Sequence, residues 1–523
     1  MPRSERPDEP REGLVARLLV LGTDAARVSA TADLCRALGV ADEVVEHRPD
    51  QPAGPDDGRG GPGGPVGLVV ALGSAWPDVL AVLPALGPGG VLYWEADGRA
   101  GAWASLRRLR RVGMTATAYR RRRHGEHDTL FLPLGPREAA RWYVDELADD
   151  SGTARRVARR LATSSGAAIR GALGAVGGPV SWVAVRGEGD LTPGVLVDLD
   201  LGGVPSGPGD AGPTLPVVLT RGEGEWSRVV LLPFDDRDRS PRAVVKLPRL
   251  ARHGEATLRE RRLLAELAQT LPEPVRASVP VPLGGGSWQG LPVAVESYLP
   301  GRPLGHRGRA EDDPGRAELL RAAAWVAALH RPTRPPSAVA PSLDATLDEA
   351  VASCGLVLGP EVRGRFGDAA LRGTELPRGY QHGDLTPTNL RVAGGGVAGG
   401  GLSAVDWESG RAGAPLTDLL YLLLHWPWPG HPDLGTAPDD VLRAVFLRTD
   451  GTPARTAQAV VTAYLGQLDL PRHVVGPLLA HMLALQAVDR AGRVASSGDR
   501  PVGNLYADLL GSAVTAPEGS TWW

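Results

Sequence analysis

Two polar segments in the last third of the chain constrain its fold more than any other feature. The first, from Tyr380 to Leu390, has the sequence YQHGDLTPTNL, and the second, from Ala404 to Glu408, has the sequence AVDWE. Carboxylate and amide oxygens bind hard cations, and a carboxylate also accepts the proton of a hydroxyl group. A fold that brings the two segments together would therefore place a base beside a cation site.

The lysine content points to a second constrained position. Lysine and arginine together number 57, and Lys246 is the one lysine among them. It ends a short apolar run, 243–246, that is typical of a strand. Lysine is a compact point charge and arginine a planar fork, so a narrow site for phosphate oxygens and one carboxylate favours lysine. A chance remnant is the alternative, and the accompanying residues decide between the two.

A helical pattern downstream of Lys246 supplies a carboxylate that could pair with it. In the segment 256–267, Leu263, Leu264 and Leu267 share one face, and Glu260 lies near the buried edge of that face. Isolated pairs of this kind are common on protein surfaces. The pair is informative only together with the two polar segments.

The combined set matches the needs of phosphoryl transfer, in which a protein positions a hydroxyl, clamps phosphates and holds Mg²⁺. Asp384 is the candidate base that accepts or orients the hydroxyl proton. Asn389 would supply a neutral oxygen to the metal, and Asp406 would bridge metal and phosphates. Lys246 would hold the phosphates of ATP, and Glu260 would hold Lys246 in place.

The run HGDLTPTN followed by VDWE resembles the signature of the aminoglycoside phosphotransferase and choline kinase family, relatives of the protein kinases. The resemblance covers roughly residues 215–515 and implies a two-lobed kinase-like fold with ATP and Mg²⁺ as cofactors. By the same resemblance His382 holds the catalytic loop, and Glu408 is a further match. The residues matched to the helix start that braces this loop are Gly413, Pro415 and Asp418.

The turn at 221–227 is where the family places its phosphate-covering loop, and Gly222 and Gly224 are the candidate residues there. Glu223 and Glu225 depart from the family pattern, because carboxylates near a triphosphate repel it. A simple hairpin in which glycine supplies a positive φ is the alternative for this turn, and for the turn alone it is favoured.

The segment from Val293 to Tyr298 resembles the connection between the two lobes, and Glu296 and Tyr298 are the candidate adenine-binding positions there. By the resemblance, backbone groups of this segment would hold the adenine edge. Apolar residues at helical spacing then predict a mostly helical larger lobe, with helices at 317–330, 416–425, 457–468 and 477–494.

The first part of the chain alternates short apolar runs with helical patterns, which favours a parallel α/β sheet. The runs lie at 17–22, 67–73 and 91–95, and the helical stretches at 25–38, 76–86 and 103–112. The sequence LGPGGVL from Leu86 resembles the later half of a class I methyltransferase. The turn Gly22-Thr23-Asp24 lacks the glycines with which that family approaches S-adenosylmethionine. We therefore expect a degenerate methyltransferase-like domain.

The predicted fold class is α/β plus α+β, a Rossmann-like parallel-sheet domain followed by a two-lobed kinase-like domain. A chain of 523 residues exceeds what one core supports. The predicted boundaries are 1–150 for the methyltransferase-like domain, 151–212 for a linker with a connecting helix, 213–300 for the smaller kinase lobe and 301–523 for the larger lobe.

Charge and cysteine content bound the partners and the compartment. The net charge is −3, and the arginine clusters at 107–111 and 120–123 lack interleaved aromatic residues, so a nucleic-acid partner is not expected. No apolar run approaches the length of a membrane span. Two cysteines without metal-ligand spacing and a polar amino terminus predict a cytoplasmic location. The oligomeric state stays open.

Three functions remain compatible with the sequence. The first is an ATP- and Mg²⁺-dependent kinase whose partner is a small molecule with a hydroxyl acceptor. The second is a pseudokinase scaffold, favoured by Glu223 and Glu225 and opposed by the intact catalytic set. The third is a bifunctional methyltransferase and kinase. The acceptor is not identified; a cationic one would need carboxylates, and Asp433, Asp439 and Asp440 are candidates or a solvated loop.

Overall fold

The computed structural model divides the chain into two compact units. Unit 1 comprises 1–145, 156–251 and 284–295, and unit 2 comprises 146–155, 252–283 and 296–523. The residues that the structure describes are 17–21, 43–47, 66–72, 80, 83, 86–96, 102–124, 128–133, 139, 142, 180–186, 216–220, 228–234, 240–273, 275–288, 290–304, 314–332, 336–338, 340–393, 401–428, 438–497 and 504–517.

Unit 1 contains a twelve-stranded sheet whose first strands pair in parallel. These strands are β1 (Arg17–Leu21), β2 (Glu43–His47), β3 (Val66–Leu72) and β4 (Leu86–Ala96). Strand β4 begins at Leu86, where the sequence predicted the end of a helix. The segments predicted as helices at 25–38 and as a turn at 22–24 lie outside the described residues, so the methyltransferase resemblance gains no structural support.

Antiparallel strands continue the sheet beyond β4. They are β5 (Met114–His124), β6 (Asp128–Pro133) and β7 (Val180–Arg186), and α1 (Ala102–Arg111) precedes β5. Strand β7 lies between β4 and β5 and pairs with both. It falls in the stretch predicted as a linker. Its sequence VSWVAVR is rich in the β-branched and aromatic residues that favour a strand, a signal that the prediction overlooked.

Five further strands complete the sheet of unit 1. They are β8 (Pro216–Thr220), β9 (Arg228–Pro233), β10 (Val244–Pro248), β11 (Pro282–Trp288) and β12 (Leu291–Glu296). The strand order is β11-β12-β10-β9-β8-β6-β5-β7-β4-β3-β1-β2. Antiparallel pairing of Leu130 with Leu219 joins β6 to β8. The strands within 213–300, the range predicted as the smaller kinase lobe, therefore share one sheet with strands of the first 150 residues.

Unit 2 is mostly helical in its described part. Its helices are α2 (Gly254–Thr270), α3 (Pro314–Leu329), α4 (Leu343–Cys354), α5 (Pro360–Phe366), α6 (Thr417–Leu424), α7 (Pro438–Val445), α8 (Thr452–Leu468), α9 (Val475–Ser497) and α10 (Leu505–Val514). Its short strands are β13 (Arg302–Pro303), β14 (Gly379–Gln381), β15 (Leu390–Val392), β16 (Leu402–Ala404) and β17 (Arg411–Gly413).

The core of unit 2 surrounds α6, in which every residue is buried. A helix that is buried on all sides is stable only when other elements cover each face. Helix α9 packs against α4, α6 and α10. The stripe of Leu263, Leu264 and Leu267 on α2 joins the same core, as its spacing predicted. Among the helices of the described ranges, none combines the length and the apolar character that crossing a membrane requires.

Candidate active site

The backbone of the segment 382–389 is held by one buried carboxylate. Asp418, in the first turn of α6, is 2 % exposed. Its two oxygens accept hydrogen bonds from His382 N at 2.7 Å and Gly383 N at 2.9 Å. Hydrogen bonds to an ionised carboxylate are stronger than neutral ones, and here two of them fix consecutive peptide groups. Asp418 therefore braces the loop, the role that the family resemblance implied.

Gly383 occupies a position that no other residue fits without strain. Its φ is 78°, and a Cβ atom there would collide with the carbonyl oxygen of Ser409. Its own carbonyl accepts a hydrogen bond from Gln486 Nε2 on α9 at 2.6 Å. The close approach brings the segment that contains Asp384 against the segment that follows Asp406.

His382 connects the two polar segments. It is fully buried, its Nε2 donates to Val405 O at 2.9 Å, and its ring lies 4.6 Å from that of Trp407. Because a carbonyl oxygen only accepts, Nε2 carries the hydrogen and Nδ1 faces the backbone N–H of Asp384 at 3.4 Å. Both nitrogens are thus occupied by the backbone, as expected for a residue that holds the loop.

The side chains of Asp384 and Asn389 contact each other. Asn389 Nδ2 donates to the backbone oxygen of Asp384 at 2.9 Å and to its Oδ2 at 3.1 Å. Since both partners are acceptors, the amide must present its NH₂ group to Asp384. The Oδ1 of Asn389 is then turned away from the two oxygens of Asp384 that accept from Nδ2.

Asp406 lies at the same end of a strand pair as Asn389. Leu390 of β15 is opposite Ala404 of β16, and Val405 N donates to Asn389 O at 2.9 Å. Asp406 itself has a φ of 70°, in the left-handed region that is costly for a residue with a side chain. The surrounding hydrogen bonds maintain this strained conformation at the position predicted to bind metal.

Glu260 holds the loop that follows Asp406. It is 1 % exposed, and its Oε1 accepts a hydrogen bond from Trp407 N at 2.9 Å. Arg259, its neighbour on α2, donates to Glu408 O at 3.4 Å. Sequence reasoning placed Glu260 correctly on a buried edge but missed its bond to Trp407, because a backbone partner 147 residues away has no sequence signal.

The predicted nucleotide-binding residues outside this cluster are placed as follows. Lys246 belongs to unit 1, where it is 4 % exposed and lies opposite Val230 in the β9–β10 ladder. Gly222 and Gly224 lie outside the described residues. Glu296 is buried at the end of β12. The adjacent backbone, which leads to half-buried Tyr298, is fixed by a hydrogen bond from Ser297 N to Val281 O at 2.8 Å. The roles predicted for these residues stay predictions.

A cluster that sequence reasoning missed adjoins Asp384. Tyr421 Oη on α6 donates to Asp384 Oδ1 at 3.2 Å, and it lies 3.1 Å from Tyr506 Oη on α10. Tyr506 Oη in turn lies 3.2 Å from His425 Nε2. A signal for Tyr421 existed, because residues three apart share a helix face and Asp418 already pointed at the loop. Tyr506 had none.

Burial sets the protonation of this cluster. It raises the pKa of Tyr421, and the charge of Asp384 adds to the shift. Burial also raises the pKa of Tyr506 and lowers the pKa of His425 to about 4. Both phenols and the imidazole are therefore neutral near pH 7.

Tyr464 and Gln381 hold the turn that precedes α6. Leu416 has a φ of 71°, and its N–H donates to Tyr464 Oη at 2.7 Å, which His330 Nδ1 approaches at 2.5 Å. A Cβ atom on Gly413 would overlap the side chain of Gln381, whose Nε2 donates to Ala414 O at 2.9 Å. These contacts fix the start of the helix that carries Asp418 and Tyr421.

The polar groups of the site fit a cation that also binds a ligand. Within the described residues, no group of three or more His, Cys, Asp or Glu side chains could hold a metal ion. Mg²⁺ typically takes one or two protein oxygens and completes its shell with water and substrate phosphates. Asn389 and Asp406 supply oxygens of that kind, so the donor set fits a magnesium–nucleotide complex.

Comparison with known proteins bears on the same region. The sequence model described as APH, Phosphotransferase enzyme family, matches residues 219–458, so this part of the chain is a phosphotransferase-family domain with a kinase-like fold of mixed α and β content. No curated protein matches the chain.

Several solved structures are similar to the chain at low identity. An aminoglycoside phosphotransferase from Streptomyces rimosus is 20 % identical, with 56 % of this chain and 97 % of that one covered and a TM-score of 0.34. A choline/ethanolamine kinase family protein from Mesorhizobium loti is 17 % identical, with 62 % and 96 % covered and a TM-score of 0.32. The GDP complex of aminoglycoside 2'-phosphotransferase-IIIa is 17 % identical, with 55 % and 89 % covered and a TM-score of 0.35.

Proposed function

We propose that this chain is a kinase that transfers the γ-phosphoryl group of ATP, with Mg²⁺, to a hydroxyl group of a small molecule. The observation that carries the proposal is the arrangement around Asp384. One carboxylate oxygen accepts from Tyr421 and the other from Asn389, which leaves the amide oxygen of Asn389 directed away. A base held on both oxygens beside a pair of cation ligands is what transfer to a hydroxyl requires.

In the proposed reaction Asp384 accepts the proton of the acceptor hydroxyl. The acceptor oxygen forms the new bond to the γ-phosphorus, and the bond from that phosphorus to the bridging oxygen of ADP breaks. The fixed orientation of the carboxylate reduces the conformational search that precedes proton transfer. Asp418, His382 and Gly383 act indirectly, because they keep the backbone of Asp384 in place.

Asn389 and Asp406 are the residues that would hold the metal. Mg²⁺, when bound with the nucleotide, neutralises charge on the phosphate oxygens. Asn389 has its amide oriented by Asp384, and the two neighbours of Asp406 are held by hydrogen bonds from Trp407 N to Glu260 and from Val405 N to Asn389 O. The amide of Asn389 and the backbone around Asp406 therefore do not have to be ordered when the nucleotide binds.

The nucleotide contacts predicted from the sequence complete the proposal. Lys246 would hold the α- and β-phosphates, and the backbone near Glu296 and Tyr298 would hold the adenine edge. Gly222 and Gly224 would lie over the phosphates. The burial of Lys246 favours a position where its charge is paired, because a lysine is rarely this buried otherwise.

Release of ADP from MgATP tests the proposal. The purified chain would be assayed against amino alcohols, sugars and aminoglycosides, beside Asp384→Asn and the matched control Asp450→Asn, an exposed aspartate. We expect acceptor-dependent release from the parent chain and from Asp450→Asn, and a loss of at least about a hundredfold in Asp384→Asn.

A scaffold without catalytic activity is the second candidate. The acidic residues Glu223 and Glu225 in the predicted phosphate loop favour it. Equal background release by the parent chain and Asp384→Asn, without any nucleotide-dependent rise in melting temperature, would support the scaffold and contradict the kinase.

A further inference from the structure

The cluster of Tyr421, Tyr506 and His425 has a direction that follows from counting hydrogens. Each tyrosine has one hydroxyl hydrogen, and an ionised carboxylate has none to give. Tyr421 therefore donates its hydroxyl hydrogen to Asp384 Oδ1, at 3.2 Å. The 3.1 Å contact between the two phenols then requires Tyr506 to donate to Tyr421.

The same count assigns the tautomer of His425. Tyr506 donates its hydroxyl hydrogen to Tyr421 and has no other. In the contact of 3.2 Å between Tyr506 Oη and His425 Nε2, the imidazole must therefore be the donor. His425 is half-buried and neutral near pH 7, since burial lowers its pKa to about 4. A neutral ring that donates from Nε2 has an unprotonated Nδ1.

Resting on the proposed function, we propose that Tyr421, Tyr506 and His425 form a one-way series of hydrogen-bond donors that positions the Asp384 carboxylate. The donor series is defined as His425 Nε2–H to Tyr506 Oη–H to Tyr421 Oη–H to Asp384 Oδ1. Tyr421 is the positioning residue in contact with the base. Tyr506 and His425 act through it, and neither contacts the reacting atoms.

The packing around the donor series explains how it can hold the base rigidly. Tyr421 and Tyr506 are 6 % and 8 % exposed, so water competes little for their hydroxyl groups. The rings of Tyr421 and His425 lie 4.5 Å apart at α6, and Tyr506 is contributed by α10. Hydrogen bonds in series polarise one another, so the last donor is strengthened by the two before it. The final helix of the described chain thereby contributes to the site through a side chain.

Kinetics of paired variants distinguish a series from simple packing. Tyr421→Phe and Tyr506→Phe each remove one hydroxyl and keep the ring, and Tyr380→Phe is the control, because its hydroxyl bonds to Glu266. With MgATP and water or a panel acceptor, we expect kcat to fall about tenfold to a hundredfold in Tyr421→Phe and less in Tyr506→Phe, with KM for MgATP unchanged.

The double variant decides whether the hydroxyl groups act as a donor series or only as packing. If Tyr506 acts through Tyr421, then Tyr421→Phe combined with Tyr506→Phe has the kcat of Tyr421→Phe alone. Multiplied losses in the double variant, or a loss in Tyr380→Phe as large as in Tyr421→Phe, would overturn the donor series. Circular dichroism spectra and melting temperatures equal to those of the parent chain separate these effects from misfolding.

A spectroscopic test is independent of turnover. The ¹⁵N chemical shifts of His425 in the full chain at pH 7 report which ring nitrogen is protonated, and His425→Gln identifies the signals. We expect a protonated Nε2 in the parent chain and in Tyr380→Phe. A protonated Nδ1 in the parent chain would overturn the donor series. Absence of MgATP turnover alongside a protonated Nε2 would instead contradict the proposed function and leave the hydrogen-bond order intact.

Discussion

Lys246 and Asp384, the two charged residues at the centre of the proposed function, are held in different ways. Lys246 lies on a strand whose position depends on backbone pairing, with Val230 opposite and four residues of β10 in register with β9. Asp384 lies on an irregular loop held by side chains, above all Asp418, Asn389 and Tyr421. A backbone ladder tolerates many sequences, whereas a loop of this kind depends on particular atoms. Substitutions near Asp384 should therefore disturb structure and function together.

The largest effect is expected at Asp418. Asp418→Asn replaces one of two acceptor oxygens by an NH₂ group, which faces a backbone N–H and cannot accept from it. We expect the free energy of unfolding to fall by about 3 to 5 kcal/mol, because a buried donor also loses its partner. Urea denaturation measures the loss, and Asp450→Asn serves as the exposed control. A change below that of the control would show that the loop does not need Asp418.

The next effect compares two glycines that both have a positive φ. Gly383 has a φ of 78°, and a Cβ atom added to it would collide with the Ser409 carbonyl, whereas Gly355, with a φ of 67°, has no atom within 4 Å of an added Cβ. Gly383→Ala should cost about 3 kcal/mol or more and Gly355→Ala about 1 kcal/mol, because only the first adds a collision to backbone strain. Equal costs in thermal or urea unfolding would contradict the close approach of the two polar segments.

At Lys246 function and stability should separate. Lys246→Met keeps the strand and most of the side-chain volume, so the free energy of unfolding should fall by less than in Asp418→Asn. ADP release should nevertheless fall by at least about a hundredfold, because the phosphates lose their point charge. Unfolding and turnover would be measured on the same preparation. A large loss of stability with normal turnover would assign Lys246 a structural role.

The smallest effect concerns pH. Burial lowers the pKa of His330 and His481 from 6.5 to about 4, and neither ring nitrogen of His481 has a hydrogen-bond partner among the described residues. The unfolded chain therefore binds more protons between pH 6.5 and 4, and stability falls as the pH is lowered through that range. His481→Leu should reduce this loss by roughly 1 to 3 kcal/mol, while the exposed His473→Gln should not. The free energy of unfolding would be measured against pH for the parent chain, His481→Leu and His473→Gln. Parallel curves for the three would contradict this prediction.

Periodic patterns predicted the regular elements well. The run at 243–246 overlaps β10, and the apolar stripe of the segment 256–267 faces the core in α2. Helices predicted at 416–425 and 477–494 lie within a few residues of α6 and α9. Such elements are predictable because alternation and helical spacing are local properties of the chain.

The cluster around the base was predictable only in part. Asp384 and Asn389 were predicted to belong to one site, and their side chains do contact each other. The surrounding contacts could not be foreseen, because Gln486, which bonds to Gly383, and Tyr506, which bonds to Tyr421, lie on helices that are distant in sequence. Strand β7 was missed for another reason. Its pattern was present, but the residues around it were interpreted as a linker.

The most direct test of the central claim follows the phosphoryl group itself. ³¹P NMR of the chain with MgATP and the acceptor that promotes ADP release should show a phosphomonoester resonance that grows with ADP, and Asp384→Asn should form it at least about a hundredfold more slowly. A phosphomonoester formed at the same rate by both chains would contradict the assignment of Asp384 as the base.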